Sequence, residues 1–200
     1  MASSGIGDPE QLGWAEWESR RLLVPLGTRW RHTLGVVERA QGVGRMLAPD
    51  EADVLVAAAW LHDVGYAAKL RETGFHPLDG ARFVRRCGFE RLAGLVAYHT
   101  SALAEAAERG LEGELSEFVD ERSVVSRALS YCDLTTDAEG RRTTPVERLR
   151  DVRERYGADA LELRALERAM PGLLEDVRMV ESMLAATANE LARAGQGEQQ

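Results

Sequence analysis

Apolar residues recur along this chain at the three-to-four-residue spacing of a helical face, and no stretch alternates with the period of a strand. Asp8-Pro9 reads as an N-cap followed by proline at the first helical position, opening a short helix that carries Trp14 and Trp17. Pro25 and Gly27 end that segment. Thr28 is then expected to cap a longer helix reaching about residue 47, with Trp30, Leu34, Val37 and Val43 on its apolar side. Pro49-Asp50 starts a third helix, and its residues 54–61 are apolar all round, which places it in the middle of a bundle. Gly65 is read as the stop of that helix.

His76-Pro77 opens a fourth helix ending near Gly88, and a fifth covers about 89–99. Residues 105–114 are polar and read as a loop or a frayed helix end. A sixth helix is predicted from about 115 to 133, burying Phe118, Val119, Val125 and Leu129. The turn-rich link 137–142 leads to Thr144-Pro145-Val146-Glu147, a capping-box start for a further helix. Its stripe Val146, Leu149, Val152, Tyr156 serves either as packing against the bundle or as a face for a second copy of the chain. Pro171-Gly172 is expected to separate the last two helices, and the tail from 194 to be disordered. The prediction is a single all-α bundle of about seven to nine helices. Its core occupies 1–143, including the N-terminal helix; C-terminal helices over 144–193 pack on the same domain, and 194–200 form the tail.

Composition bounds this picture. The chain has 200 residues, 44% hydrophobic and 29% charged, enough to build a sizeable core. A net charge of −8 argues against a nucleic-acid polymer as partner, because such binding relies on a broad basic surface. The longest apolar run, 54–61, is too short to cross a bilayer, and residues 1–13 lack the basic start and apolar stretch of a secretory signal. Cys87 and Cys132 form no disulfide framework and no zinc-ribbon spacing. A cytoplasmic protein without membrane attachment is expected.

The chemistry lies in the histidines, of which there are only four: His32, His62, His76 and His99. His62-Asp63 ends the buried helix, His32 sits inside the helix before it, and Asp133 follows Leu129 by one helical turn and faces the core. An unpaired carboxylate there is costly, whereas coordination to a cation resolves the problem. Donors from separate helices in a bundle core make a divalent-metal site of His32, His62, Asp63 and Asp133. His99 shares an inward stripe with Leu92, Leu95 and Val96, and His76 begins a helix with its side chain free to turn inward; these two are assigned to a second ion. A lone inward histidine is more often a satisfied core residue than a ligand, and it is the conjunction that carries the reading.

His32…His62-Asp63…Asp133, within the segments Arg29-Trp30-Arg31-His32, Leu61-His62-Asp63-Val64-Gly65 and Tyr131-Cys132-Asp133-Leu134, resembles the H…HD…D signature of the HD-domain metal-dependent phosphohydrolases. The resemblance spans about 28–137 and implies an all-α fold. His76 and His99-Thr100 resemble the six-ligand subgroup that holds two metals, which includes hydrolases that split diadenosine tetraphosphate symmetrically. It also includes cyclic-dinucleotide phosphodiesterases, whose additional His-His-Glu motif this chain lacks. The segment after Thr144 resembles nothing assignable.

The expected chemistry is hydrolysis of a nucleotide or another small phosphate ester by a metal-activated hydroxide, with Asp63 bridging two ions. Mixed imidazole and carboxylate donors favour iron or manganese, with nickel, cobalt and zinc also accommodated. Arg29, one turn before His32, Lys69, six residues past Asp63 and the chain's only lysine, and Thr100 are the candidates for substrate phosphate; Lys69 reads equally as a solvated side chain. Asp79 either anchors a histidine or is a solvated helix-start acid, Cys87 reads as buried filler, and the four tryptophans read as packing residues. Two alternatives stay open: a mixed-valent di-iron oxygenase, which some six-ligand relatives are, and a regulatory module that holds metal without turnover.

Overall fold

The computed structural model describes residues 9–197; the Asp8 cap, the leading residues and the last three of the tail lie outside them. Among the described residues there are ten α-helices and no strand. They are α1 (Pro9–Leu23), α2 (Thr28–Gly44), α3 (Pro49–Leu61), α4 (His76–Arg86), α5 (Glu90–Ala97), α6 (Ala102–Arg109), α7 (Glu112–Leu115), α8 (Val124–Leu134), α9 (Pro145–Tyr156) and α10 (Leu161–Gly197). Short 3-10 turns at Val64–Tyr66 and Ala68–Leu70 join α3 to α4. None of these helices is long and apolar enough to cross a membrane.

Helix α3 is the axis of the bundle. Every residue from Val54 to Leu61 is buried, and α1, α2, α5 and α8 pack around it. Burying each of its large aliphatic side chains contributes about 1.5–3 kcal/mol, so the helix without a polar face is the one the others surround. Helix α10 lies along α6 and α8, and α9 packs on α10.

Several expectations are corrected. Thr28 is the first residue of α2 rather than its cap; Gly27 holds that position with φ +54°, and the Thr28 hydroxyl accepts from Arg31. The helix stops at Gly44, short of residue 47. Residues 105–114, read as a loop or a frayed helix end, fall largely within α6 and α7, because Ala102, Ala106 and Leu115 find buried seats that the polar average of the stretch conceals. The sixth predicted helix is not continuous from 115: Ser123 caps α8, with its hydroxyl accepting from the Ser126 amide, and Val119 lies exposed on the strap before it. Pro171 interrupts nothing and sits inside α10. That helix runs to Gly197, through the start of the tail expected to be disordered. Leu34, Trp17 and Cys87 are exposed rather than buried, whereas Trp14 stacks near Phe83 and Phe89, and Trp30 on Trp60. The capping box forms as expected, the Glu147 amide donating to the Thr144 hydroxyl and the Thr144 amide to the Glu147 carboxylate.

Gly65 does not terminate α3, which ends at Leu61 with His62 as its C-cap. It lies in the 3-10 turn, where a Cβ would stand 2.0 Å from the His76 carbonyl oxygen and 2.7 Å from the Gly80 nitrogen. The glycine is there so that the turn after Asp63 can press against the start of α4. That contact fixes the distance between Asp63 and His76.

Candidate metal centre

Five elements deliver the cluster. His32 comes from the middle of α2, His62 from the end of α3 with Asp63 after it, His76 from the first position of α4, His99 from just beyond α5, and Asp133 from near the end of α8. His62 and His99 are set by the same local device. Each follows the last turn of a helix, where carbonyls lack amide partners. His62 Nδ1 donates to the Ala59 carbonyl at 2.8 Å, and His99 Nδ1 to the Val96 carbonyl at 2.7 Å. His32 Nδ1 donates to the Asp137 carbonyl at 3.0 Å, which the link after α8 brings across. With Nδ1 as the donor, each Nε2 presents its lone pair.

Those lone pairs converge. Ligand atoms of His32, His62 and Asp63 lie within 4.8 Å of one another, and so do those of Asp63, His76 and His99. Asp63 belongs to both trios. Its Oδ1 is 3.4 Å from His76 Nε2, and its Oδ2 is 3.6 Å from His62 Nε2 and 3.2 Å from Arg29 Nη1. Asp133 joins through Oδ1, 3.0 Å from His32 Nε2, while its Oδ2 accepts from the Thr100 hydroxyl. His76 Nε2 and His99 Nε2 face each other at 3.3 Å.

The electrostatics fit cations between these atoms. Burial works against charge on Asp63, yet His62, Arg29 and His76 outweigh it and hold the carboxyl well below the usual carboxylate range. Asp133 is likewise held low: burial opposes its charge, and the His32 hydrogen bond and the charges of His32 and Arg148 prevail. Burial pushes His76 and His99 down, so both rings are neutral at neutral pH with lone pairs available. His62 Nε2 is fully buried and has no hydrogen-bond partner among the described residues. A buried imidazole acceptor left empty is costly, and a cation shared with His32 and Asp63 satisfies it. Three imidazoles tied at Nδ1 to backbone carbonyls, with two ionised acids, form the donor set that divalent transition metals take.

The remaining predicted residues divide. Arg29 is at the site: its guanidinium lies 3.8 Å over the Tyr66 ring, and Tyr66 stacks on His76 at 4.0 Å. Thr100 adopts a left-handed backbone, φ +51°, with its amide on the Ser130 hydroxyl at 2.9 Å, and its own hydroxyl is engaged by Asp133 rather than turned to a ligand. Lys69 is exposed on the turn Ala68–Leu70 and does not line the cavity over the histidines. Asp79 is neither solvated nor bound to a histidine. It is buried, and its carboxylate accepts from the Thr73 and Gly74 amides and the Thr73 hydroxyl, tying down the turn that leads into His76.

Sequence reasoning missed Tyr66 and the arginines of α9, although it placed Val152 and Tyr156 on a stripe able to pack against the bundle. Arg148, Val152, Arg155 and Tyr156 line the cavity over the cluster, at helical spacings of three, four, seven and eight counted with Asp151. The signal was present as a mixed stripe but lay beneath the apolar one, of which Val146 is exposed.

The family model described as HD domain matches residues 29–138. No curated protein and no solved structure matches the chain.

Proposed function

The chain belongs to the HD-domain family, within the metal-dependent phosphohydrolase superfamily, and from that premise we propose that it hydrolyses a small phosphate ester or a nucleotide at a two-ion centre. The observation carrying this is the double trio: two sets of three donors that share Asp63, with the Nε2 of His62 buried and unpartnered. In the proposed assignment His32, His62, Asp63 and Asp133 would hold one ion and His76, His99 and Asp63 the other, with Asp63 common to both. Divalent cations at such a centre supply Lewis-acid stabilisation of phosphoryl oxygens and activate water near neutral pH. Iron or manganese suits the donor set, and nickel, cobalt and zinc are accommodated.

The chain's own residues supply the rest. Arg29 is held protonated above the ordinary arginine range because, although burial opposes it, Asp63 and its other neighbours more than compensate. It therefore stands as a fixed cation between Asp63 and the cavity. Tyr66, whose pKa burial raises, remains a neutral phenol packed on His76 and keeps bulk water off that ring. Thr100 fixes one oxygen of Asp133, and the other faces His32 Nε2, where the two would hold a cation between them.

The test is phosphate release from a panel of monoesters and nucleotides by protein loaded separately with manganese and with anaerobic ferrous iron. Release that requires metal is expected. Oxygen consumption without phosphate release would replace the hydrolase by an oxygenase, and two bound metals with no turnover of any kind would leave a metal-holding module.

A further inference from the structure

Helix α9 lies outside the residues that match the family, yet it roofs the metal centre. It touches the cluster at two points. Arg148 Nη2 is 3.5 Å from Asp133 Oδ1, and the Tyr156 hydroxyl accepts from Arg29 at 2.9 Å. Asp151, between them on the same face, accepts from Arg148 at 3.2 Å and from Arg155 at 3.1 Å, holding both guanidinium groups along the cavity side of the helix. The Arg148 side chain is 11% exposed, so a cation has been drawn out of solvent and set against the cluster. Burying an arginine beside only partly available acids is unfavourable unless an anion completes the set.

We propose that Arg148 and Arg155 form a clamp for the phosphate of the substrate, and that α9 as a lid restricts that substrate to a phosphate with a small ester group. The anion's identity rests on the hydrolase reading above. Planar guanidinium forks match phosphate oxygens in pairs. Arg148 faces Asp133 through Nη2 and Asp151 through Nη1; were Asp133 to hold a cation, Nη2 would be available to an anion in the cavity. The acids on the opposite wall do not cancel the clamp, because Glu105 and Glu162 are both tied to Arg109. The space beneath α9, partly open to solvent, is about 80 Å³. Pockets for drug-sized ligands run to roughly 300–1,000 Å³, so a nucleoside is not enclosed beneath α9 in this position, whereas a small ester group is. Val152 is the one buried residue of α9, with Leu149 partly buried against the core beside it. Such a lightly anchored element opens readily to admit a ligand.

The test is calorimetric titration of the manganese-loaded protein with inorganic phosphate, methyl phosphate and adenosine monophosphate, with metal content measured in parallel. Arg148→Gln and Arg155→Gln are each expected to weaken phosphate binding at least about tenfold, the worth of a charged hydrogen bond. Arg150→Gln, exposed on the far side of α9, is expected to bind as the wild type does. In the wild-type protein, adenosine monophosphate is expected to bind at least about tenfold more weakly than methyl phosphate. Arg155 contacts no ligand residue, so its variant decides the clamp even if Arg148→Gln also loses metal. Wild-type phosphate affinity in Arg155→Gln overturns the clamp, and equal affinity for the two esters overturns the size limit. Wild-type protein that binds phosphate through these arginines but hydrolyses nothing refutes the hydrolase and leaves the clamp. An active hydrolase with unaltered variants does the reverse.

Discussion

Gly65→Ala tests how the two halves of the centre are held together. The added Cβ would stand 2.0 Å from the His76 carbonyl oxygen, and ordinary contact begins at 3.4 Å, so the start of α4 must retreat by about 1.4 Å. Nothing flexible can give way, because the atoms met are backbone of His76 and Gly80. Metal–donor distances tolerate only about 0.2 Å, so His76 loses the shared position with Asp63 while His32, His62 and Asp133 keep theirs. Forcing a methyl group into packed backbone costs about 1–3 kcal/mol. For a chain of this size each kcal/mol lowers Tm by about 2–4 °C, which gives a drop of about 2–12 °C. Elemental analysis after manganese loading should show metal falling from about two ions per chain toward one, with the drop in Tm read by calorimetry. Gly42→Ala is the control: a Cβ there meets nothing within 4 Å, and replacing an exposed helical glycine should stabilise by up to about 1 kcal/mol. Two ions per chain and an unchanged Tm in Gly65→Ala would refute the close-approach argument.

Other expectations are simpler. Asp63→Ala removes the one residue common to both trios and should abolish turnover and lower bound metal; full metal with full activity rejects the bridge. His76→Ala and His99→Ala should each leave about one ion per chain, and a persisting stoichiometry of two removes them from the ligand set. Glu51, at the start of α3, has its carboxyl held below the usual value chiefly by the hydrogen bond from Arg91, which also binds Glu121 across the bundle. A lowered folded-state pKa contributes stability above the unfolded value and loses it as pH falls through the folded one. Glu51→Gln should therefore be less stable than wild type at pH 7, by under about 1 kcal/mol for so exposed a pair. The gap between the two chemical-denaturation curves should close below about pH 4; a gap independent of pH would show that Glu51 acts by packing alone.

The fold was legible where burial is one-sided or total. Residues 54–61 could only be the centre, and the proline and capping-box starts of α3, α4 and α9 were written locally. It was illegible where tertiary contact overrides local signals. Pro171 lies within α10 because that helix is held along its length by α6 and α8, and a lost amide bond is a small part of that packing. Residues 102–115 average as polar, but the structure needs only three small or aliphatic anchors among them.

The centre was legible for a different reason: imidazoles are scarce in this chain, and each stands where a helix begins, ends or turns inward. What surrounds the centre was not. Asp79 works through a turn five and six residues earlier, and α9 lines the cavity with Arg148 and Arg155, both paired to Asp151, which hydrophobic periodicity files as solvent-facing. A charged stripe is inward only if its partner is a buried charge elsewhere. Here that partner is Asp133, whose own inward position was inferred from the apolar spacing of α8. Once one acid is placed in the core, any basic helix that follows it closely becomes a candidate roof, and Thr144–Tyr156 carries Arg148 and Arg155 two turns apart on the same face as the apolar anchor Val152. The inference from core acid to basic lid needs both residues considered together, which a pass along the chain, element by element, does not do.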